Sequence, residues 1–390
     1  MIKTNYVSDT ARNMKPSGIR KFFDLASGVE GVVSLGVGEP DFVTPWRYRE
    51  AAINSLEEGY TSYTANAGLI QLREEIASYM SSRFHVNYAP DKQIIVTVGA
   101  SQAIDIALRA ILNPGEEVIV VEPCFVSYAP LVVMAGGKAV SVGTTKESDF
   151  KLLPQQLEAA VTPNTKAIMI CSPNNPTGSQ LSKDDLEALA KIAIKHDLVV
   201  LSDEIYAELV YDEDYTSFAS IEGMIDRTIL ISGFSKGFAM TGWRLGFVCA
   251  NEEISAAMLK IHQYAIMCAP TAAQHAALEA LRYGFDYVED MRRSYLHRRN
   301  YLVESFNEIG LTCHKPGGAF YAFPSIESTG MTSEEFAERL LLEEKVAVVP
   351  GDVFGLGGEG HIRCSYATSM DQLREAVTRI ERFIKKTTYP

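Results

Sequence analysis

Short apolar runs rich in β-branched residues recur through the first two thirds of the chain. They are IIVTV at 94–98, EVIVV at 117–121, AIMIC at 167–171, LVVLS at 198–202 and TILIS at 228–232. Between these runs lie stretches with apolar residues at helical spacing, such as residues 101–112 and 183–197. Strands that alternate with crossover helices are typical of α/β proteins. The pattern therefore predicts a mostly parallel sheet covered by helices on both faces.

The pattern changes near residue 284. A long charged helical stretch at 285–310 leads into a Gly-rich segment, a short apolar GGAFYAFP run and the amphipathic stretch SMDQLREAVTRIERFIKK. These elements predict a smaller α+β domain, with the domain boundary in the long helix.

Length and charge narrow the classes of function. A chain of 390 residues is long enough for two domains, and its net charge of −13 argues against a nucleic-acid partner or an anionic membrane surface. There is no apolar run of bilayer-spanning length and no signal-peptide pattern, so we expect a cytoplasmic protein without a membrane partner. The six cysteines form no CxxC pair, which predicts reduced thiols and no metal site.

The segment SGFSKGFAMTGWRLGF at 232–247 is the strongest candidate for chemistry. Lys236 follows a predicted strand, and ligands of α/β sheets bind where the strands end. Most lysines are simply exposed, but here small residues surround Lys236, and Arg244 follows eight residues later as a possible phosphate partner.

Three further segments follow predicted strands. Asp203 and Tyr206 lie in LSDEIYAEL, and Asn175 lies in the rigid turn CSPNNPTGS. The turn around Ala100 comes directly before a helix, where backbone N–H groups and the helix dipole favour an anion. Each segment taken alone has an ordinary structural interpretation, as a helix cap, a loop or a turn.

Together these motifs resemble the class I and II aminotransferases, which depend on pyridoxal 5′-phosphate (PLP) and belong to the aspartate aminotransferase superfamily. The resemblance extends from SGIR near residue 17 to RCSYA near residue 366 and is closest in look to bacterial aspartate and N-acetyl-diaminopimelate aminotransferases. It implies the α/β fold of type I PLP enzymes. A large domain would span residues 46–284, and residues 1–45 and 285–390 would form the small domain with an N-terminal arm.

The resemblance also implies roles around the cofactor. Lys236 would form a Schiff base with PLP and shuttle the substrate proton, which requires a neutral amine. Asp203 would pair with the protonated pyridine nitrogen, while Tyr206 and Asn175 would hydrogen-bond the ring oxygen O3′. Phe125 would stack on the pyridine ring.

The same resemblance implies that the phosphate of PLP lies against the turn around Ala100 and against Arg244. Its predicted contacts within the chain are Ala100, Ser101, Gln102, Ser235 and Arg244. The family often has a serine three residues before the lysine, but this chain has Gly233, and Ser232 or Ser235 could substitute. Tyr63, in a Y-x-x-x-x-G segment, would reach the phosphate of a neighbouring subunit, so the resemblance implies a homodimer with shared active sites.

The substrate contacts are also implied by resemblance. Arg363 matches the arginine that grips the α-carboxylate with two parallel hydrogen bonds. Asn175 would assist it, and the segments around Ile19 and Gly38 would close over the substrate and exclude water.

The predicted reaction is ping-pong transamination between an L-amino acid and a 2-oxo acid, with 2-oxoglutarate as the acceptor. Aspartate is the preferred donor, and aromatic amino acids, alanine and N-acetyl-diaminopimelate remain open. One alternative is a carbon–sulfur β-lyase on the same fold, because one set of cofactor contacts supports several reactions. The other is a non-catalytic transcriptional sensor, which would need a basic DNA-binding module that the sequence lacks.

Overall fold

The computed structural model of the chain describes residues 6–16, 18, 19, 22, 25 and 28–388. Residues 1–5 of the predicted N-terminal arm lie outside the described residues, as do Ser17 and Arg20 of the SGIR segment. The α-helices are α1 (Asp9–Asn13), α2 (Trp46–Glu57), α3 (Ile70–Phe84), α4 (Gly99–Ile111), α5 (Tyr128–Met134), α6 (Pro154–Ala160), α7 (Lys183–Lys195), α8 (Glu252–Ala265), α9 (Thr271–Tyr283), α10 (Phe285–Glu308), α11 (Ser333–Glu344) and α12 (Met370–Thr388).

A seven-stranded sheet forms the centre of the fold. Its strands are β2 (Ile94–Thr97), β3 (Glu117–Glu122), β4 (Lys138–Gly143), β5 (Thr165–Cys171), β6 (Val199–Asp203), β7 (Thr228–Gly233) and β8 (Gly246–Cys249). Their order is β2-β8-β7-β6-β5-β3-β4, and β8 alone runs antiparallel to its neighbours. The predicted α/β fold with a mostly parallel sheet is confirmed, and the observed strand ends differ from the predicted runs by one or two residues.

Helices cover both faces of this sheet. Val118 and Val120 of β3 pack into one apolar cluster with α4, while Ile119 packs on the opposite face with α7. This alternation follows from the two-residue period of a strand, so a continuous run of apolar residues predicts a strand that is buried on both faces. Helix α7 begins at the start of the predicted helical stretch 183–197. Its N-cap is Ser182, whose hydroxyl accepts a hydrogen bond from the backbone N–H of Asp185 at 3.2 Å.

A second layer of structure combines segments from the start and the end of the chain. A three-stranded antiparallel sheet contains β11 (Val349–Pro350), β12 (Ile362–Ser365) and β9 (Tyr321–Ala322), and a parallel pair contains β1 (Val33–Ser34) and β10 (Val346–Ala347). Helices α10, α11 and α12 complete one apolar core with β1, β9, β10 and β12. That core also includes Tyr206 and Leu209, so it is continuous with the region around the large sheet.

The GGAFYAFP run forms a shorter strand than its length suggests. Only Tyr321 and Ala322 belong to β9, because the residues before them are held by the large sheet's loops instead. The backbone N–H of Gly318 donates to Gly178 O, and that of Ala319 donates to Leu209 O at 2.8 Å. Within the described part of the chain, no helix is long and apolar enough to cross a bilayer.

Candidate active site

A cavity of about 400 Å³ lies at the edge of the large sheet where the parallel strands end. Most residues that the sequence predicts for the site line it together: Ile19, Gly38, Ala100, Ser101, Phe125, Asn175, Asp203, Tyr206, Ser235, Lys236, Arg244 and Arg363. Asn175, Asp203 and Lys236 meet there because neighbouring parallel strands place their carboxyl ends at one edge of the sheet.

Two predicted residues do not line this cavity. The side-chain oxygen of Gln102 accepts a hydrogen bond from Val98 N at 2.6 Å, and its amide nitrogen lies 2.9 Å from Nδ1 of His262. The side chain of Gln102 therefore faces away, and only its backbone remains near the start of α4. Tyr63 is 79% exposed and lies outside the cavity of its own chain.

Lys236 lies three residues beyond the end of β7. Its Nζ donates a hydrogen bond to the carbonyl oxygen of Gly38 at 2.7 Å. Burial lowers the pKa of Lys236 to about 8, and the positive charge of Arg363 contributes to this shift. About a tenth of this amine is therefore uncharged at pH 7, far more than for an ordinary lysine.

Asp203 ends β6 on the floor of the cavity. The hydroxyl of Tyr128 donates to its Oδ2 at 2.6 Å, and the backbone of Ile205 donates to its Oδ1 at 3.2 Å. Burial raises the pKa of Asp203, and the hydrogen bond from Tyr128 opposes that shift. The sequence reasoning missed Tyr128, although it follows Phe125 by three residues and the two rings meet edge to face at 5.7 Å.

Arg363 lies on β12 and is buried. Its guanidinium donates to Oδ1 of Asn175 at 2.9 Å and to the carbonyl of Gly36 at 2.8 Å. Its Nε has no hydrogen-bond partner among the described residues. The guanidinium also lies 4.5 Å from the ring centre of Tyr321, a second lining residue that the sequence reasoning missed. Nothing in the GGAFYAFP run distinguishes Tyr321 from a core aromatic residue.

An anion cradle lies where β2 meets α4. Gly99 has a φ of +73°, and a Cβ at this position would lie 2.7 Å from a guanidinium nitrogen of Arg244. The backbone conformation therefore favours glycine here, and a larger residue would also displace the guanidinium of Arg244. The start of α4 also directs free N–H groups toward the cavity edge.

The structure also accounts for glycine at position 233. A Cβ there would lie 2.8 Å from Gly246 Cα, because β7 and β8 approach closely, so a serine does not fit. Of the two possible substitutes, Ser235 lines the cavity, whereas the hydroxyl of Ser232 donates to the carbonyl of Glu204 at 3.3 Å.

The neighbours of these residues are directed elsewhere. Oε1 of Glu204 accepts hydrogen bonds from the hydroxyls of Ser202 and Ser217, both at 2.9 Å, on the side away from the cavity. Burial raises the pKa of the Cys124 thiol well above its usual value, which disfavours a reactive thiolate. No group of three or more His, Cys, Asp or Glu side chains within the described residues is placed to hold a metal ion.

The donor set suits a planar, phosphorylated aldehyde. A partly uncharged lysine amine, a buried carboxylate, an aromatic ring and an anion cradle surround one cavity. These groups correspond to the reactive carbon, ring nitrogen, ring face and phosphate of PLP.

Comparisons with known proteins give the same answer. The family "Aminotransferase class I and II" matches residues 30–380. The putative aminotransferase YugH of Bacillus subtilis (strain 168) is 66% identical over 385 residues, covering 99% of this chain and 100% of that protein. The aspartate aminotransferase of Pyrococcus abyssi is 49% identical, covering 97% of this chain and 98% of that protein.

A solved structure shares the fold. The aromatic aminotransferase of Pyrococcus horikoshii superposes with a TM-score of 0.90 at 47% identity, covering 94% of this chain and 99% of that one. Members of this family use PLP as cofactor, and the relatives named here are aminotransferases, so these comparisons offer no support for the lyase alternative. The chain belongs to the class I and II aminotransferases, as a PLP-dependent enzyme that transaminates amino acids.

Proposed function

We propose that this enzyme transfers the amino group of an L-amino acid to 2-oxoglutarate by ping-pong chemistry, in which the first oxo acid leaves before the second binds. The observation that carries the proposal is the convergence of Lys236, Asp203 and Arg363 on one cavity. It combines a proton carrier, a carboxylate for a cationic ring nitrogen and a guanidinium for a substrate carboxylate.

The proposed cofactor contacts follow from the positions of the side chains. PLP, when bound, withdraws electrons from the substrate Cα, so that its proton becomes acidic. Asp203 would hold the pyridine nitrogen, with Tyr128 fixing the orientation of its carboxylate. Tyr206 and Asn175 would donate to O3′, and Phe125 would cover the ring face. Arg244, Ser235 and the backbone of Ala100, Ser101 and Gln102 would hold the phosphate.

Lys236 has a second proposed task once the substrate is bound. Its amine would take the proton from the substrate Cα and return it to the aldehyde-derived carbon of PLP on the other side of the amino nitrogen, which requires an uncharged nitrogen close to the substrate. The lowered pKa of Lys236 supports this role, because an ordinary lysine would be almost fully charged near pH 7.

We propose that Arg363 binds the α-carboxylate and that Asn175 orients its guanidinium through their 2.9 Å hydrogen bond. Ile19 and Gly38 would form the wall that closes over the substrate. Such a wall excludes water and strengthens the ionic contact between the carboxylate and Arg363.

The donor predicted from the sequence is aspartate, which needs a cation beside its second carboxylate. The described lining contains three cations, Lys236, Arg244 and Arg363, and each already has a proposed role. Apolar side chains such as Val37, Ile104 and Ile205 form much of the remaining lining. This lining favours an aromatic amino acid as the second candidate, and aspartate would require a cation from outside the described lining.

The relatives do not separate these donors, because the aspartate and aromatic aminotransferases are similar to this chain to nearly the same extent. Adding amino acids one at a time to the PLP-loaded enzyme, without an oxo acid, would separate them. The true donor should remove the visible absorbance of the bound cofactor at the lowest concentration. We would compare aspartate, phenylalanine, tyrosine, alanine and N-acetyl-diaminopimelate. No loss of absorbance with any of the five, or a loss that 2-oxoglutarate does not reverse, would contradict the proposal.

We also propose a homodimer in which Tyr63 reaches the phosphate in the other subunit. Its exposure and its position outside its own cavity support this arrangement. The chain also exposes large apolar side chains at Trp46, Tyr264 and Ile266, which is typical of a protein that buries surface in an interface. Monomers in sedimentation would contradict the dimer.

Shared sites can be tested by complementation. A Lys236→Ala chain and a Tyr63→Ala chain, when expressed together, should form hybrid dimers with one intact site. That site contains Lys236 from one chain and Tyr63 from the other, so activity should exceed that of either variant alone. If Tyr63 serves its own subunit, the hybrid has no intact site and activity should not increase.

A further inference from the structure

Tyr321 joins two parts of the cavity that come from distant segments. It pairs with Ser365 across the β9–β12 ladder, and Arg363 lies two residues from Ser365. Side chains two residues apart share a face of a strand, so the ring of Tyr321 is a diagonal neighbour of Arg363. The guanidinium lies 4.5 Å from the ring centre, within the range of a cation–π contact.

The hydroxyl of Tyr321 reaches the opposite side of the cavity. Its oxygen lies 3.0 Å from the hydroxyl oxygen of Tyr206 and donates to the carbonyl of Gly38 at 3.4 Å. Lys236 donates to the same carbonyl oxygen. A phenol carries one proton, so Tyr321 can donate either to Gly38 or to Tyr206, and in the first case it accepts from Tyr206.

We propose that Tyr321 is a positioning residue whose ring orients Arg363 and whose hydroxyl orients the hydrogen bond of Tyr206 to the cofactor. This inference rests on the proposed roles of Arg363 and Tyr206. The two tasks belong to different atoms of one side chain, so removing the hydroxyl first and the ring in a second variant distinguishes them.

The burial of both phenols supports this arrangement. Burial raises the pKa of Tyr206 well above its usual value and also raises the pKa of Tyr321. Both hydroxyls therefore keep their protons across the working pH range of an ordinary enzyme. A neutral Tyr206 that receives a hydrogen bond from Tyr321 is a stronger donor to the cofactor's ring oxygen, because linked hydrogen bonds polarise one another.

Tyr321→Phe removes the hydroxyl and keeps the ring. In the PLP-loaded enzyme we expect the pH midpoint of the visible cofactor absorbance to rise by about 0.5–1 pH unit, since one hydrogen bond to Tyr206 is lost. KM for the amino acid should stay within about twofold, because the contact between ring and guanidinium is retained. An unchanged absorbance midpoint would overturn the proposed role of the hydroxyl.

Tyr321→Leu removes both the ring and the hydroxyl. KM for the amino acid should then rise by about 5- to 10-fold beyond its value in Tyr321→Phe, because the guanidinium loses its aromatic support. Equal KM values in the two variants would overturn the proposed role of the ring. Tyr321→Met has a longer and more flexible side chain that adapts to the vacated space, and it would be measured instead if the leucine variant does not fold.

Tyr366→Phe is a matched control. Tyr366 is also a buried tyrosine, and its hydroxyl donates to Ala319 O at 3.2 Å without lining the cavity. The Tyr366→Phe variant should lose as much stability as Tyr321→Phe, but it should keep the absorbance midpoint and the KM of the wild-type enzyme. A shift in this control equal to that of Tyr321→Phe would overturn the inference. Failure of the proposed function itself looks different, because amino acids would then cause no loss of cofactor absorbance in the wild-type enzyme that 2-oxoglutarate reverses.

Discussion

The two halves of the cavity are built in different ways. The cofactor half takes Phe125, Asn175, Asp203 and Lys236 from the loops and ends of successive parallel strands. The substrate half takes Gly38, Tyr321 and Arg363 from opposite ends of the chain. There, Arg363 is held by the carbonyl of a residue 327 positions away, and Tyr321 by one 283 positions away.

The positions of the side chains therefore have a different physical origin in each half. A parallel sheet places every carboxyl end at one edge, so the cofactor half follows from the topology of the sheet. The substrate half exists only when β1, β9 and β12 have packed against one another. Changes in the first half should therefore affect chemistry, and changes in the second should affect substrate binding.

The largest expected effect lies in the cofactor half. Lys236→Ala should lower kcat by at least about 10³-fold, because it removes both the covalent anchor and the proton carrier. The visible absorbance of the lysine-bound cofactor should disappear as well. Lys191→Ala, which removes an exposed lysine on α7, should leave both unchanged. Normal turnover by Lys236→Ala would show that another amine performs the reaction.

Substitutions in the substrate half should raise KM without causing loss of the cofactor. Arg363→Ala should lower kcat/KM by about 10- to 100-fold, mostly through KM, because charge-assisted hydrogen bonds to the carboxylate are lost. Arg363→Lys keeps the charge but not the forked geometry, so its kcat/KM should lie between those of the wild type and Arg363→Ala. Steady-state kinetics and cofactor absorbance would be measured together. If Arg363→Ala lost the cofactor absorbance as Lys236→Ala does, the distinction between the two halves would not hold.

A pH series tests the electrostatic link between the halves. The pKa of Lys236 is lowered to about 8, so below that pH the uncharged amine increases about tenfold per pH unit. The rate at which the enzyme freed of cofactor captures added PLP should rise with pH and level off above about 8.

The same series in Arg363→Ala provides the control. Loss of that positive charge favours the protonated lysine, so the plateau should move to higher pH. Identical profiles would mean that the charge of Arg363 does not contribute to the lowered pKa of Lys236.

The smallest expected effect is steric. A Cβ at Gly38 would lie 2.8 Å from the hydroxyl oxygen of Tyr321 and close to the guanidinium of Arg363. Gly38→Ala should therefore raise KM several-fold and cost about 1–3 kcal/mol of stability through overpacking. Gly28→Ala is the control, because its nearest atom, Leu25 O, would be 3.7 Å away. KM and the thermal midpoint would be measured for both. An unchanged KM in Gly38→Ala would show that the cavity wall around Gly38 accommodates the added methyl group without affecting substrate binding.

Much of the cofactor half could be predicted because its signals are local. Residues 198–202 and 228–232 identify buried strands, and Asp203 and Lys236 follow those runs closely. The side chain of Gln102 could not be placed in this way. A helix start predicts N–H groups, but the direction of that side chain depends on His262, 160 residues away.

The missed residues have no such local signal. Tyr128 and Tyr321 lie in apolar surroundings that predict ordinary core aromatics. Their importance depends on what each hydroxyl touches, Asp203 in one case and Tyr206 in the other. Hydrogen-bond partners so far apart in the chain cannot be inferred from periodicity.

The amino-acid sequence by itself determined the α/β class, the order of strands and helices, and the motif residues of a PLP-dependent aminotransferase, because strand and helix periods and turn residues act over a few positions. Tertiary structure alone decided which side chains face the cavity, how far the pKa of Lys236 falls, and that Tyr321 bridges Tyr206 and Arg363. Those properties depend on burial and on distances between segments that meet only when the cores have packed.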